Sequence, residues 1–323
     1  MFRKLCWLRP QDALGFLWPF QEFRSKLVFS LRRKDILPVQ IENLHANRLA
    51  PLLQSMWRIV RLLLVAYLLL LLLMMIFEES FIFFPTRYNG GPQWRPPGLA
   101  FEDVFFTADD GTRLHAWYLP HDNPRAVILF AHGNAGNLAD RAPVVEYLRH
   151  KLRSSVMIFD YRGYGRSEGT PDEQGVLADA RAARRELARR AGVDESDVVL
   201  LGRSIGGAVM VDLAAEDGAR GLVLQSTFSS MPELAAYHYP WLPVRTFMRT
   251  RLESIDKISR YHGPLLQSHG DADNIIPDQF GRRLFEAANE PKQFFVLPGG
   301  NHNDPDPPEY LEALDRFIGE LGK

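Results

Sequence analysis

The sequence lacks several features that define large classes of protein: paired cysteines, a strong net charge, histidines at metal-ligand spacing and a glycine-rich phosphate-binding loop. Its 323 residues include a single cysteine, Cys6, which excludes an intramolecular disulfide and a thiolate metal cluster. The formal net charge at pH 7 is only -1, which gives no reason to expect nucleic acid as a partner. The histidines show no metal-ligand spacing, and no glycine-rich dinucleotide- or phosphate-binding loop is present. We therefore expect neither a metal ion nor an organic cofactor.

The longest uncharged run is rich in leucine and lies towards the N-terminus. No charged residue occurs from Leu62 to Phe77, and two further apolar residues extend the run across Arg61, whose side chain can reach the lipid headgroups. The usable length is about 18–20 residues, which is within the range for a bilayer-crossing helix. A buried core helix is the alternative, but such a helix normally has a polar stripe at helical spacing, and this run has none. We predict a transmembrane signal anchor over residues 58–79.

Basic residues are concentrated on the N-terminal side of this run. Residues 1–61 contain more than twice as many Lys and Arg as Asp and Glu, which predicts that this side lies in the cytoplasm and the rest of the chain on the other side. No small-x-small site follows the run, so we expect it to be retained rather than cleaved. The basic segment 1–57 has no sustained periodicity and is interpreted as lacking regular structure. A natural start at Met56 is a hypothesis that N-terminal sequencing would contradict by finding Met1.

The remaining sequence alternates short apolar runs with helical patterns. A Pro/Gly-rich linker is predicted over residues 80–100, and a strand hairpin over 101–107 and 113–119. Six further runs have the length of strands that are buried on both faces. They lie at residues 126–132, 155–161, 198–202, 221–226, 264–270 and 293–298. Helical segments between them predict an α/β domain over residues 101–323 with a mostly parallel, doubly wound sheet.

The motif G-x-S-x-G occurs where one predicted strand passes into a helix. Residues 202–207 read GRSIGG and follow an apolar strand run. In this strand–turn–helix context the glycines allow the tight turn of a nucleophile elbow, which would hold Ser204 in a strained conformation and present its Oγ above the sheet. The helix N-terminus behind the serine favours negative charge that develops there. Ser204 is therefore the predicted nucleophile.

A serine nucleophile needs a base within hydrogen-bond reach and an acid that orients the base. In chains with this elbow, the acid and then the base follow the serine, each in the loop after a strand. Asp271 and Asp273 follow one strand run, and His302 follows the next. His302 is the predicted base, and either aspartate is a candidate for the acid. A solvent-facing loop aspartate is the alternative interpretation of each.

An oxyanion hole needs two backbone N–H donors aimed at the developing charge. The N–H of Ile205, directly after the nucleophile, is the first candidate. The loop HGNAGN at 132–137 offers the second, with Asn134 favoured over Ala135. A plain strand-to-helix turn is the alternative interpretation of this loop.

Five motifs, taken together and in order, resemble those of a known family. They are HGNAGN (132–137), DYRGYGRSEG (160–169), GRSIGG (202–207), HGDADNIIP (269–277) and PGGNHND (298–304). From about Phe81 to the C-terminus, the chain is similar to the membrane-anchored α/β-hydrolase-domain proteins often called Bem46-like. The resemblance implies one transmembrane helix followed by an α/β-hydrolase fold, with Ser204, Asp273 and His302 at the triad positions. The choice of Asp273 over Asp271 rests partly on this pattern.

A short cap is predicted over about residues 227–255. Its larger side chains either line an acyl pocket or pack onto the sheet. They are Tyr237, Tyr239, Trp241, Phe247 and Met248. The segment QSTFSS at 225–230 departs from the Ser-Pro-Phe-Thr-Ser pattern of the resembling family, which bears on the shape of the pocket.

The predicted activity is hydrolysis of an acyl ester or thioester of a lipid, an acylated protein or another bulky substrate, through an acyl-Ser204 intermediate. Relatives in the resembling family include protein depalmitoylases and aminopeptidase-like hydrolases, so the resemblance does not choose the substrate. A serine peptidase or amidase of the same fold is one alternative. An inactive membrane-bound adaptor is another, and it would need none of the triad. A cofactor-free lyase or haloperoxidase-like activity is a third.

Overall fold

A computed structural model describes residues 41–321 of the chain. Of the basic segment predicted over residues 1–57, residues 1–40 lie outside the described part. The remainder belongs to helix α1, which runs from Ile41 to Ile76. The interpretation of residues 41–57 as lacking regular structure is therefore wrong. Extending the helix of the leucine run towards the N-terminus requires no new helix nucleus.

Helix α1 contains a stretch that is long and apolar enough to cross a membrane. This stretch runs from Pro51 to Ile76 and has 26 residues. The segment predicted over 58–79 continues beyond the helix end, because Phe77 leaves the helical conformation at φ -104° and ψ 20°. A short helix α2 follows from Glu78 to Ile82. The two acidic residues after the leucine run therefore belong to a separate helical turn.

All eight strand runs expected from the sequence form strands of one sheet. The strands are β1 (Glu102–Thr107), β2 (Arg113–Leu119), β3 (Val127–Ala131), β4 (Ser155–Asp160), β5 (Val198–Arg203), β6 (Gly221–Gln225), β7 (Leu265–Gly270) and β8 (Lys292–Leu297). Strands β3, β4, β6 and β7 are buried at every position, as expected of apolar runs without alternation.

The strand order is β1-β2-β4-β3-β5-β6-β7-β8. Strands β1, β2 and β4 pair antiparallel, whereas all pairs from β4 through β8 are parallel. The predicted hairpin and the mostly parallel sheet are therefore confirmed. Because parallel strands end at the same edge of a sheet, the loops after β3, β5, β7 and β8 meet there. These four loops carry every residue of the predicted site.

Helices cover both faces of the sheet. The helices after α2 are α3 (Ala142–His150), α4 (Glu173–Ala191), α5 (Ile205–Asp217), α6 (Met231–His238), α7 (Val244–Phe247), α8 (Ser254–Lys257), α9 (Asp278–Ala287) and α10 (Pro308–Glu320). Short 3-10 helices occur at Pro92–Trp94, Leu138–Arg141, Glu195–Asp197 and Ile258–Arg260. One buried apolar cluster packs α4 and α5 against the sheet, and a second packs α3 and α10 against the opposite face. The result is a three-layer α/β/α arrangement.

A buried ion pair joins helix α4 to the loop after β4. Asp179 is fully buried and accepts hydrogen bonds from the backbone N–H of Arg162 at 2.7 Å and from its Nη2 at 2.8 Å. Removing one member of a buried pair costs about 3–5 kcal/mol, and the lower end of this range applies here because Arg162 Nη1 still donates to Asp110 Oδ2 at 2.7 Å. We expect Asp179→Ala to lower the free energy of unfolding by about that amount. Chemical denaturation of the full chain in detergent micelles measures it.

An exposed ion pair provides the matched control for this prediction. Asp315 of α10 pairs with Arg125, and both side chains retain substantial solvent exposure. Asp315→Ala is therefore expected to cost only about 0–1 kcal/mol. Equal losses of stability in the two variants would contradict the expected difference.

Candidate active site

Ser204 lies in a strained turn between a strand and a helix. Strand β5 ends one residue before it, and helix α5 begins one residue after it. Its φ of 56° and ψ of -123° lie in a region that residues with a side chain rarely adopt. An added Cβ at Gly202 would lie 2.4 Å from the carbonyl oxygen of Gly206, and one at Gly206 would lie 2.1 Å from that of Ala131. Close approach of the backbone therefore requires both glycines of the motif.

His302 connects Ser204 to Asp273 through hydrogen bonds. His302 Nε2 lies 3.2 Å from Ser204 Oγ, and His302 Nδ1 lies 2.7 Å from Asp273 Oδ2. All three residues are buried. With its Nδ1–H donated to the carboxylate, the imidazole leaves Nε2 free to accept the serine proton. The structure thus brings together the three side chains that the sequence predicted as nucleophile, base and acid.

Several hydrogen bonds hold the carboxylate of Asp273. Its Oδ1 accepts the backbone N–H groups of Ile275 and Ile276 at 2.9 and 2.8 Å, and its Oδ2 lies 3.4 Å from His269 Nε2. Burial by itself raises the pKa of Asp273, but hydrogen bonds from two histidines and a backbone N–H outweigh burial and lower the pKa below its ordinary value. Asp273 is therefore ionised at neutral pH.

Asp271, the second candidate for the acid, has a different place in the same loop. Its side chain is exposed, and its Oδ1 accepts the backbone N–H of Gly299 at 2.6 Å. This bond connects the loop after β7 to the loop after β8. The carboxylate that faces the imidazole of His302 is that of Asp273.

The two segments that carry the predicted oxyanion donors both adjoin Ser204. Ile205 is the first residue of α5, so its N–H has no acceptor within the helix. An added Cβ at Gly133 would lie 3.5 Å from Ser204 Cβ, which brings the loop after β3 against the nucleophile. Asn134 and Ala135 follow directly, and all these residues line one pocket. Backbone N–H groups from both predicted segments are thus close to Ser204.

Known proteins match a large part of this chain. A family model described as Serine aminopeptidase, S33 matches residues 122–254, which include Ser204. An uncharacterized protein of Mycobacterium tuberculosis is 43% identical over 250 residues, which cover 75% of this chain and 88% of the relative. The alpha/beta hydrolase domain-containing protein WAV2 of Arabidopsis thaliana is 34% identical over 246 residues, covering 70% of this chain and 77% of WAV2. This chain belongs to the α/β-hydrolase family.

A solved structure agrees with this α/β-hydrolase in fold. The esterase Pf2001 of Pyrococcus furiosus superposes with a TM-score of 0.63 at 18% identity, covering 75% of this chain and 98% of the esterase. The predicted α/β-hydrolase fold is therefore confirmed. The finer assignment to the Bem46-like, membrane-anchored group stays a prediction.

The side chain of Asn134 ties the loop after β3 of this α/β-hydrolase to two other segments. Its Nδ2 donates to the carbonyl oxygen of Ile82, and its Oδ1 accepts the N–H of Phe84 at 3.1 Å and the hydroxyl of Tyr164 at 2.7 Å. The sequence analysis gave Tyr164 no role, although it lies in the DYRGYG motif that contributed to the family resemblance. The position of the Asn134 backbone thus depends on the segment that follows α1.

An apolar pocket of about 800 Å³ borders Ser204 and His302 in this α/β-hydrolase. Helices α6 and α7, within the predicted cap, form part of its wall. Of the larger cap side chains singled out in the sequence, Tyr239, Phe247 and Met248 line the pocket. Tyr237 and Trp241 remain about half exposed. Tyr239 and Phe247 are exposed to a similar extent, so the set divides by contact with the pocket and not by exposure to solvent.

Residues from the end of α1 also line the pocket, and sequence reasoning missed them. They are Leu71, Met74 and Met75, joined by Phe81 of α2. The leucine run has no polar stripe that would set one helix face apart, so the sequence carries no signal for this contact. Only the folded chain reveals that part of the candidate membrane helix belongs to the site.

Proposed function

We propose that this α/β-hydrolase is a serine hydrolase that cleaves acyl esters or thioesters through a covalent acyl-Ser204 intermediate. The observation that carries the proposal is the line of hydrogen bonds from Ser204 through His302 to Asp273, beside an apolar pocket. The strained backbone of Ser204 and the ionised carboxylate of Asp273 support it.

In the first half-reaction, Ser204 Oγ bonds to the acyl carbonyl carbon while its proton passes to His302 Nε2. The carbonyl electron pair moves onto oxygen, and the N–H groups of Ile205 and Asn134 stabilise the negative charge. The ionised Asp273 stabilises the imidazolium. Collapse of the intermediate breaks the bond to the leaving group, which departs as an alcohol or thiol with the proton from His302.

In the second half-reaction, His302 removes a proton from water as the water oxygen bonds to the acyl carbon. The bond between Ser204 Oγ and the acyl carbon then breaks, and the proton on His302 returns to Ser204. The products are a carboxylic acid and the leaving group. Water is the only co-substrate, so the proposed cycle requires no cofactor.

The chemistry of the pocket favours an acyl chain over a peptide N-terminus. An aminopeptidase needs a carboxylate or a similar group to hold the substrate ammonium. The pocket carboxylates of Glu78, Asp140 and Asp304 already accept hydrogen bonds from backbone N–H groups of the protein. The rest of the lining is predominantly apolar, which suits a hydrocarbon chain.

We further propose that α1 anchors the enzyme in a bilayer, with the N-terminal side in the cytoplasm. The 26-residue stretch from Pro51 to Ile76 has the required length and composition. The excess of Lys and Arg over residues 1–61 supports the orientation.

Labelling with a fluorophosphonate probe tests the proposed nucleophile. The probe reacts with activated serines, so the wild-type enzyme is expected to label and Ser204→Ala is expected to lose labelling completely. Ser226→Ala is the matched control, because Ser226 is also buried and also has a positive φ, 47°, at the end of the neighbouring strand β6. That variant is expected to label like the wild type.

Two outcomes of the labelling experiment would contradict the proposal. Folded wild-type enzyme that does not label would favour the adaptor, which needs no activated serine. Labelling that persists in Ser204→Ala would place the reactive residue elsewhere.

A further inference from the structure

We propose that the last turns of α1 form one wall of the acyl-binding pocket, so that the enzyme accepts a long acyl chain directly from the bilayer in which it is anchored. This inference rests on the proposed function and names the class of substrate, which is a long-chain acyl ester resident in the same membrane. The argument begins with the faces of α1.

One face of the C-terminal part of α1 is covered by the protein itself. Tyr67, Leu71 and Met74 are half-buried, whereas the residues between them are exposed. Spacings of four and three residues place these side chains on one side of a helix. Glu78, four residues further along the chain, is buried. A helix surrounded only by lipid has no reason to be covered along one face.

Hydrogen bonds fasten this face to the cap. The hydroxyl of Tyr67 donates to the carbonyl oxygen of Trp241 at 3.0 Å, and Arg249 Nη2 donates to the carbonyl oxygen of Met75 at 3.1 Å. Glu78 accepts the backbone N–H groups of Arg249 at 3.0 Å and Thr250 at 2.6 Å. These hydrogen bonds therefore connect the cap to both ends of the segment from Tyr67 to Glu78.

The fastened segment faces the pocket that contains the nucleophile. Leu71, Met74 and Met75 line the same pocket as Ser204 and His302. Cap side chains line the same pocket, among them Leu242, Phe247 and Met248. An acyl chain in this pocket would thus contact apolar atoms of both α1 and the cap, with its carbonyl end at Ser204.

Helix α1 brings this wall close to the surface of the membrane, because the charged residues Glu78 and Glu79 follow directly after its apolar run. Its 26-residue stretch spans about 39 Å at about 1.5 Å per residue, whereas the hydrocarbon core of a bilayer is about 30 Å thick. The surplus of about 9 Å falls towards the N-terminal end of the stretch, where Arg58 and Arg61 lie. Exposed aromatic residues of the cap, Tyr239 and Trp241, are of the types enriched at the membrane–water interface. A chain that slides along this wall leaves lipid without crossing water.

Acyl-chain selectivity of full-length enzyme in micelles tests the wall. The measured quantity is the ratio of kcat/KM for p-nitrophenyl palmitate to that for p-nitrophenyl acetate. Met74→Trp places a larger side chain in the pocket, so this ratio is expected to fall about 10-fold or more. Leu72→Trp is the control on the same helix, because Leu72 is exposed, and its ratio is expected to match the wild type. Leu71→Trp is a second wall variant should Met74→Trp fail to fold.

The outcomes separate this inference from the proposed function. A wild type that hydrolyses acetate, with the same selectivity ratio in Met74→Trp, Leu71→Trp and Leu72→Trp, would overturn the wall and leave the esterase intact. Equal loss of selectivity in the wall variants and in Leu72→Trp would also overturn it. A wild type that hydrolyses neither ester would overturn the proposed function itself.

Discussion

His302→Ala is expected to hydrolyse p-nitrophenyl butyrate with a kcat about 10⁶-fold below that of the wild type. His302 has two tasks in the proposed cycle, because it accepts the proton of Ser204 and later donates it to the leaving group. The 3.2 Å between its Nε2 and Ser204 Oγ allows the first transfer without a bridging water. Without the imidazole, Ser204 keeps its proton and is a weak nucleophile. Steady-state kinetics of purified full-length enzyme in micelles measure the loss.

His150→Ala is the control for this variant. His150 is exposed at the C-terminal end of α3, whereas the residues of that helix that line the pocket, Pro143 and Val144, belong to its first turn. Its replacement is therefore expected to leave kcat unchanged. Retention of more than about a hundredth of wild-type kcat by His302→Ala would contradict its role as general base. The thermal unfolding midpoint of each variant is measured as well, because a variant that loses activity by unfolding would show a lower midpoint.

Asp273→Asn is expected to lower kcat about 10⁴-fold while leaving the fold intact. An amide at this position can donate to His302 Nδ1, which favours the tautomer that carries its proton on Nε2. That tautomer cannot accept the proton of Ser204. Asp271→Asn is the matched control in the same loop, since its carboxylate binds the N–H of Gly299. If Asp271→Asn were the more damaging of the two, the assignment of the acid would be wrong.

The pH dependence of stability gives Asp273→Asn a second readout. Folding lowers the pKa of Asp273, so its ionised form stabilises the folded state at pH values above about 4, the ordinary pKa of an aspartate. This contribution is lost as the pH falls from there through the lower pKa of the folded state. The difference in stability between wild type and Asp273→Asn is therefore expected to shrink on acidification below about pH 4. Thermal unfolding midpoints between pH 3 and pH 7 measure it.

The sheet was predictable because its signals are local. Each strand is a short apolar run bounded by turn residues, and the runs at 126–132 and 155–161 match β3 and β4 to within one residue at each end. The parallel order followed from helices that alternate with these runs. The start of α1 was not predictable in the same way. Residues 41–57 lack a periodic apolar face, and they are helical as a continuation of the leucine run.

The three central side chains of the site were predictable because each follows the end of a strand in a recognisable motif. Ser204, Asp273 and His302 meet where the parallel strands end together. The contacts of Asn134 were not predictable. They join residues about 50 positions apart along the chain, Ile82 and Phe84 on one side and Asn134 on the other. The contribution of α1 to the pocket was not predictable either, because the sequence does not distinguish Leu71 and Met74 from the lipid-facing residues of the same run.

The position of the cap in the chain has a consequence for how relatives of this enzyme can diverge. Helices α6 and α7 are inserted between β6 and β7, which are hydrogen-bonded neighbours in the sheet. The insertion can therefore be lengthened, shortened or exchanged while the two strands stay paired, and Ser204 and His302 stand on strand ends outside it. The substrates that the pocket admits can thus change during evolution while the catalytic residues stay in place. A protein engineer can graft caps onto this scaffold on the same principle.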